Sequence, residues 1–116
     1  MMSTIFEMAF WLLAGHAAAD FALQTRWMTA AKNHHNRLVE DGGFPVWPLA
    51  LGAHGLIHGA AVALATGSIL LGCLETVSHA LIDFMKSDGR YGFYADQALH
   101  LGLKALWIWM AVNGIV

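Results

Sequence analysis

Within "ETVSHALIDFMK", residues 75 to 86, Glu75, His79 and Asp83 recur at intervals of four. In a helix that interval stacks the three side chains on one face, each a turn above the last. The same interval separates His16 from Asp20, His54 from His58 and Asp96 from His100. Leaving Glu75 aside, these pairs supply five imidazoles and three carboxylates, with no thiolate. Such a donor set suits Zn²⁺ first, with Mn²⁺ or Fe²⁺ as alternatives, and argues against Cu(I) and iron–sulfur clusters. One tetrahedral ion cannot use eight donors, so two ions in the core of a helix bundle are expected. Two ions would acidify and position a water and stabilise charge on a phosphate or carbonyl oxygen. Redox di-iron sites favour Glu; a His/Asp-rich set leans towards hydrolysis.

Glu75 and Lys104 stand one turn from the ligand layer, on the ligand faces of their segments. Two readings are open. They form a buried ion pair that locks two helices together, or Glu75 is a general base or extra ligand while Lys104 neutralises a bound anion. His34 and His35 have no periodic partner and read as solvated loop residues, and the scattered Met residues read as packing.

The elements that carry the pairs follow from composition. The chain has 116 residues, 58% of them hydrophobic and only 12% charged. Soluble domains carry roughly 25% charged residues, so this chain reads as an all-α, polytopic membrane protein forming a single domain over 1–116. Spanning a bilayer takes about 20 largely apolar residues. Segments 4–23, 47–65, 69–86 and 93–115 meet that requirement and predict a bundle of four transmembrane helices. The connection at 24–45 is polar and long, and its middle reads as a short interfacial helix ended by Gly42, Gly43 and Pro45. Gly52, Gly55 and Gly59 would let neighbouring backbones approach closely. The start of the chain lacks the basic region of a signal peptide and is expected to stay as an anchor. The small net charge of −2 and the lack of a basic tract exclude nucleic acid as an expected partner. Cys73 is the single cysteine, so neither an internal disulfide nor a Cys-rich zinc ribbon can form.

Arg26, Lys32, Arg37, Lys86 and Arg90 fall in or beside the first and third connections. The positive-inside rule then puts those connections in the cytoplasm of a bacterial inner membrane and both termini outside. Trp27 and Trp47 would mark one interface, Trp107 and Trp109 the other. On that orientation all four pairs share one layer in the cytoplasmic half. Intramembrane ionisable residues are expensive and are functional by default. "HAAADF" at 16 to 21 also matches "HALIDF" at 79 to 84, and "AHGLIH" at 53 to 58 resembles "ADQALH" at 95 to 100. The bundle is therefore expected to be a pseudo-twofold repeat of helical hairpins, with His58 and His100 equivalent.

"HAAADFALQ", "HGLIHG", "HALIDF" and "DQALH" together resemble the hallmark segments of a bacterial and phage integral-membrane family, domain of unknown function 3307. The resemblance covers nearly the whole chain and implies the same His and Asp positions. More loosely, the layout is similar to prophage-associated proteins described as membrane-bound metal-dependent hydrolases. The expected function is an integral-membrane, dinuclear metal-dependent hydrolase acting on a lipid or lipid-linked ester or phosphoester at the cytoplasmic leaflet. Divalent-cation or proton transport, or a phage-type membrane effector with a structural metal, are the alternatives. Oligomeric state is left open, a homo-oligomer included.

Overall fold

The computed structural model describes residues 2–36 and 40–116, and these are mostly helical. Helix α1, Met2–Ala17, runs without a break into a π-helical segment, Ala18–Ala22. The Leu23 N–H closes that segment on the Ala18 carbonyl at 2.8 Å, five residues back. The widened turn carries Asp20 and changes the direction of its side chain relative to an α-helical register. π-turns of this kind are frequent at functional sites.

Thr25 then caps α2, Arg26–Ala31, its Oγ1 accepting the Met28 N–H at 3.1 Å. This short helix lies at the start of the connection, and the glycines do not end it. Gly42 and Gly43, with φ of 61° and 85°, close a two-residue hairpin between β1, Glu40–Asp41, and β2, Phe44–Pro45. A two-residue hairpin loop asks for left-handed backbone at both positions, and a glycine pair supplies it. Arg37, used in the orientation argument, lies outside the described residues.

Helix α3, Trp47–Thr66, has Pro48 in its first turn, where a missing N–H costs nothing. It stops at Gly67, whose left-handed backbone returns its N–H to the Ala63 carbonyl at 2.8 Å. Ser68 caps α4, Ile69–Ser87, and α5 is Phe93–Val112. The helices cover the expected segments closely, except that α5 ends three residues early.

Helices α3 and α4 approach most closely where their side chains vanish. A Cβ on Gly55 would stand 2.8 Å from the Thr76 carbonyl oxygen, and one on Gly72 would stand 2.7 Å from that of Gly59. Gly52, expected to share this role, faces open space instead. Gly59→Ala is therefore expected to cost about 1–3 kcal/mol through overpacking, while Gly52→Ala is neutral or slightly stabilising. Thermal unfolding of the detergent-solubilised variants checks both. Equal melting points would mean that the α3–α4 contact is not tight.

Met8, Leu12, Val62, Leu71 and Trp107 form an apolar cluster at one end of the bundle. Trp107 is thus a core residue, not an interface marker as its position near the chain end implied. Beside it the interior is rich in polar groups: His16, His54, His58, Glu75, His79, Asp83, Asp96, His100 and Lys104 are all buried. Large apolar side chains face outwards instead, among them Phe6, Leu49, Leu64, Ile69 and Val77. Soluble domains show the reverse distribution of charge. Thr4–Ala22 and Trp47–Thr66 are long and apolar enough to cross a membrane by length and composition.

Candidate metal centre

Each long helix delivers one i, i+4 pair to the same place. The pairs come from the second half of α1 with its π-turn, the middle of α3, the second half of α4 and the first half of α5. Their meeting requires neighbouring helices in the chain to run antiparallel. Asp20, His54, His58 and His79 form a first group, with one donor atom from each lying within 4.8 Å of the others. Asp20 Oδ1 is 2.8 Å from His58 Nε2, 3.3 Å from His54 Nε2 and 3.8 Å from His79 Nε2. Asp83, Asp96 and His100 form a second group. There His100 Nε2 lies 3.1 Å from Asp83 Oδ1 and 3.3 Å from Asp96 Oδ1.

Asp83 links the two. Its Oδ1 faces His100, while its Oδ2 is 3.5 Å from His54 Nε2 and 3.6 Å from His79 Nε2. Donor atoms on a tetrahedral Zn²⁺ with bonds near 2.0–2.1 Å are roughly 3.3 Å apart, so most of these separations suit a shared ion with little movement. The internal repeat is visible in the distances, since Asp20–His58 at 2.8 Å corresponds to Asp83–His100 at 3.1 Å. The rings of His58, His79 and His100 are stacked, with centroids 3.6 and 4.0 Å apart, which holds their planes in place.

The environment of His79 shows what these donors lack. Its Nδ1–H donates to Glu75 Oε1 at 3.3 Å, which leaves Nε2 on the other side of the ring. Nε2 faces the oxygens of Asp20 and Asp83 at 3.8 and 3.6 Å and has no hydrogen-bond partner, as is also true of His54 Nε2. Electron-rich atoms directed at one another inside a core repel unless a cation lies between them. A carboxylate on the far nitrogen of an imidazole is also the usual way to orient a ligating histidine. The Nδ1 atoms of His16, His58 and His100 have no such partner. Asp83, Asp96 and Glu75 each face a lysine: Lys32 at 2.6 Å, Lys86 at 3.5 Å and Lys104. Asp20 has no lysine or arginine within ion-pair distance among the described residues.

Seven of the eight expected ligands therefore fall into the two groups. His16 stands beside them, with Nε2 2.9 Å from Gln97 Oε1 and 3.5 Å from Asp20 Oδ2. Glu75 and Lys104 are in direct contact, and Trp107 Nε1 donates to Glu75 Oε2 at 2.6 Å. Three residues at the site had no periodic signal to reveal them. Lys32 reaches in from just beyond α2. Gln97 also donates to Asp20 Oδ2 at 3.0 Å and to Asp96 Oδ2 at 3.2 Å. Tyr91 donates its hydroxyl to the Ile82 carbonyl, pinning the α4–α5 turn beside the second group.

His34 and His35 are not free in solvent. Both rings place Nε2 2.7 Å from Asp88 Oδ1, just past the end of α4. Hydrogen bonds from His35 and His34 hold the Asp88 carboxyl below the usual carboxylate range.

Residues 8–114 match the family described as "Protein of unknown function (DUF3307)". No curated protein and no solved structure matches the chain.

Proposed function

The chain belongs to the DUF3307 family, whose function is unknown, and from its own site we propose a dinuclear metal-dependent hydrolase in a four-span membrane bundle. The observation that carries this reading is His79 Nε2, buried and turned towards Asp20 and Asp83 with no hydrogen-bond partner. Asp20, His54, His58 and His79 would hold one ion, and Asp83, Asp96 and His100 the other, with the Asp83 carboxylate shared. When bound, the ions would supply an activated water and positive charge for a developing oxyanion. Glu75 orients His79, and Lys104 pairs with Glu75 and fixes its position. Lys32 approaches from the connection and is placed to leave Asp83 for the anionic oxygen of a substrate.

Four spans are favoured because α4 and α5 turn their ionisable residues inwards and leave Ile69, Val77, Leu99 and Leu101 outside. In lipid that arrangement is the economical one. Arg26, Lys32, Lys86 and Arg90 lie in or beside the connections at the end of the bundle nearer the site, and by the positive-inside rule this supports a cytoplasmic side for that end with both termini outside. The substrate is then an ester or phosphoester of a lipid, or of a lipid-linked compound, presented at the cytoplasmic leaflet of a bacterial inner membrane. A transport path has less support, because Met8, Leu12, Val62, Leu71 and Trp107 fill the opposite end of the core.

Protein purified in detergent without chelator should carry about two divalent ions per chain in this core, Zn²⁺ being the first expectation. It should also release phosphate or acid from a panel of lipid phosphoesters and esters, with loss of turnover on chelation. Elemental analysis that finds no stoichiometric transition metal would remove both the centre and the hydrolase.

A further inference from the structure

The connection between α1 and α3 holds a second kind of donor cluster, outside the bundle core. Thr25 and α2 bring the chain round so that "NHHN", residues 33 to 36, lies against the end of α4. The turn is fixed locally, with the Asn36 N–H bonded to the Asn33 carbonyl at 3.0 Å and the His35 N–H to Asn33 Oδ1 at 2.9 Å. His34 is stacked on Phe84 with centroids 3.8 Å apart and also meets Trp47. His35 lies over His34 at 4.1 Å. The Asp88 backbone N–H is tied to the Phe84 carbonyl at 3.2 Å, which sets its carboxylate at the helix end.

We propose that His34, His35 and Asp88 form a separate divalent-cation site on the surface, which ties the first connection to the α4–α5 turn. The donor atoms, His34 Nε2, His35 Nε2 and an Asp88 oxygen, lie within 4.8 Å of one another. Two imidazoles and one carboxylate form a Zn²⁺-type donor set, with a fourth position open to water. The side chain of His35 is 60% exposed and that of Asp88 27%, so an ion can enter directly from solvent. The stack on Phe84 fixes one imidazole in advance, and this lowers the entropy lost on ligation. The site also lies at the C-terminal end of α4, where the helix dipole adds partial negative charge to that of Asp88. A cation there answers both charges at once. An ion bound there would hold the segment that carries Lys32, and Lys32 is paired with Asp83 in the buried centre.

The test is Co²⁺ titration of the detergent-solubilised full chain, by calorimetry and visible absorption. Wild type should bind one equivalent more than His34→Gln/His35→Gln or Asp88→Asn. Asp20→Asn/Asp83→Asn, which disables the buried centre, should keep one solvent-accessible equivalent, and adding Asp88→Asn should abolish it. The single variant His35→Gln changes an exposed side chain and should weaken that equivalent by about 10-fold or more while melting, in chelator, at the wild-type temperature. Unchanged stoichiometry and affinity in all these variants would overturn the surface site. Loss of the buried equivalents alone would count against the hydrolase reading and leave this one standing.

Discussion

Asp83→Asn is expected to release both ions of the buried centre, whereas Asp20→Asn and Asp96→Asn should each leave about one behind. The difference lies in the two oxygens of Asp83. One faces His54 and His79, and the other faces His100. Asn keeps the size of Asp but loses the charge and one ligating oxygen, so neither ion would keep its shared anionic donor. Asp20 serves only the first group and Asp96 only the second. Asp83→Asn also frees Lys32, but Lys32 comes from a solvent-facing connection and can turn outwards, so the fold should survive. Metal content per chain for the three variants, with melting in chelator as the control for folding, decides the matter. If Asp83→Asn retains as much metal as Asp20→Asn, the shared carboxylate is wrong and the two groups are not one centre.

Lys104→Met should be the most destabilising single change in the interior, at about 3–5 kcal/mol, because it leaves the Glu75 charge buried without its cation. Glu75 has no exposure and retains only Trp107 and His79 as partners. Glu75→Gln/Lys104→Met should recover most of the loss, since it removes both charges together. Full stability in the single variant would show that the pair contributes nothing to the bundle. The double variant also separates an orienting role for Glu75 from the general-base reading. As a residue that orients His79, its loss should weaken metal binding by about 10–100-fold and lower turnover only through occupancy. As a general base, its loss should abolish turnover even when excess metal restores full loading. The geometry favours the orienting role, because Lys104, Trp107 and His79 already engage the Glu75 carboxylate.

The sequence by itself determined which His and Asp residues share a helix face. Intervals of four between His and Asp were enough to place each pair on one helix face, because the helical period is a local property of the backbone. Helix bounds followed for the same reason: Pro48, Gly67 and Ser68 act within one turn of their own positions. The close approach of α3 and α4 at Gly55 and Gly59 was equally legible, since a missing Cβ is written in the residue itself. Tertiary structure alone decided the roles within the set. The π-turn at Ala18–Ala22 sets the direction of Asp20, and His16 turns to Gln97 while its repeat-mate His79 turns inwards. Gln97 occupies the place of Gly55 in the repeat, so one hairpin fills with an amide the space that the other uses for backbone contact. Lys32, Trp107 and the His34–His35–Asp88 cluster come from positions far apart in the chain. No periodicity links such residues, and only the packing of helices against a folded connection brings them together. A repeat in sequence thus specified two similar sets of His and Asp residues, and the asymmetry that distinguishes them arises from how the hairpins pack.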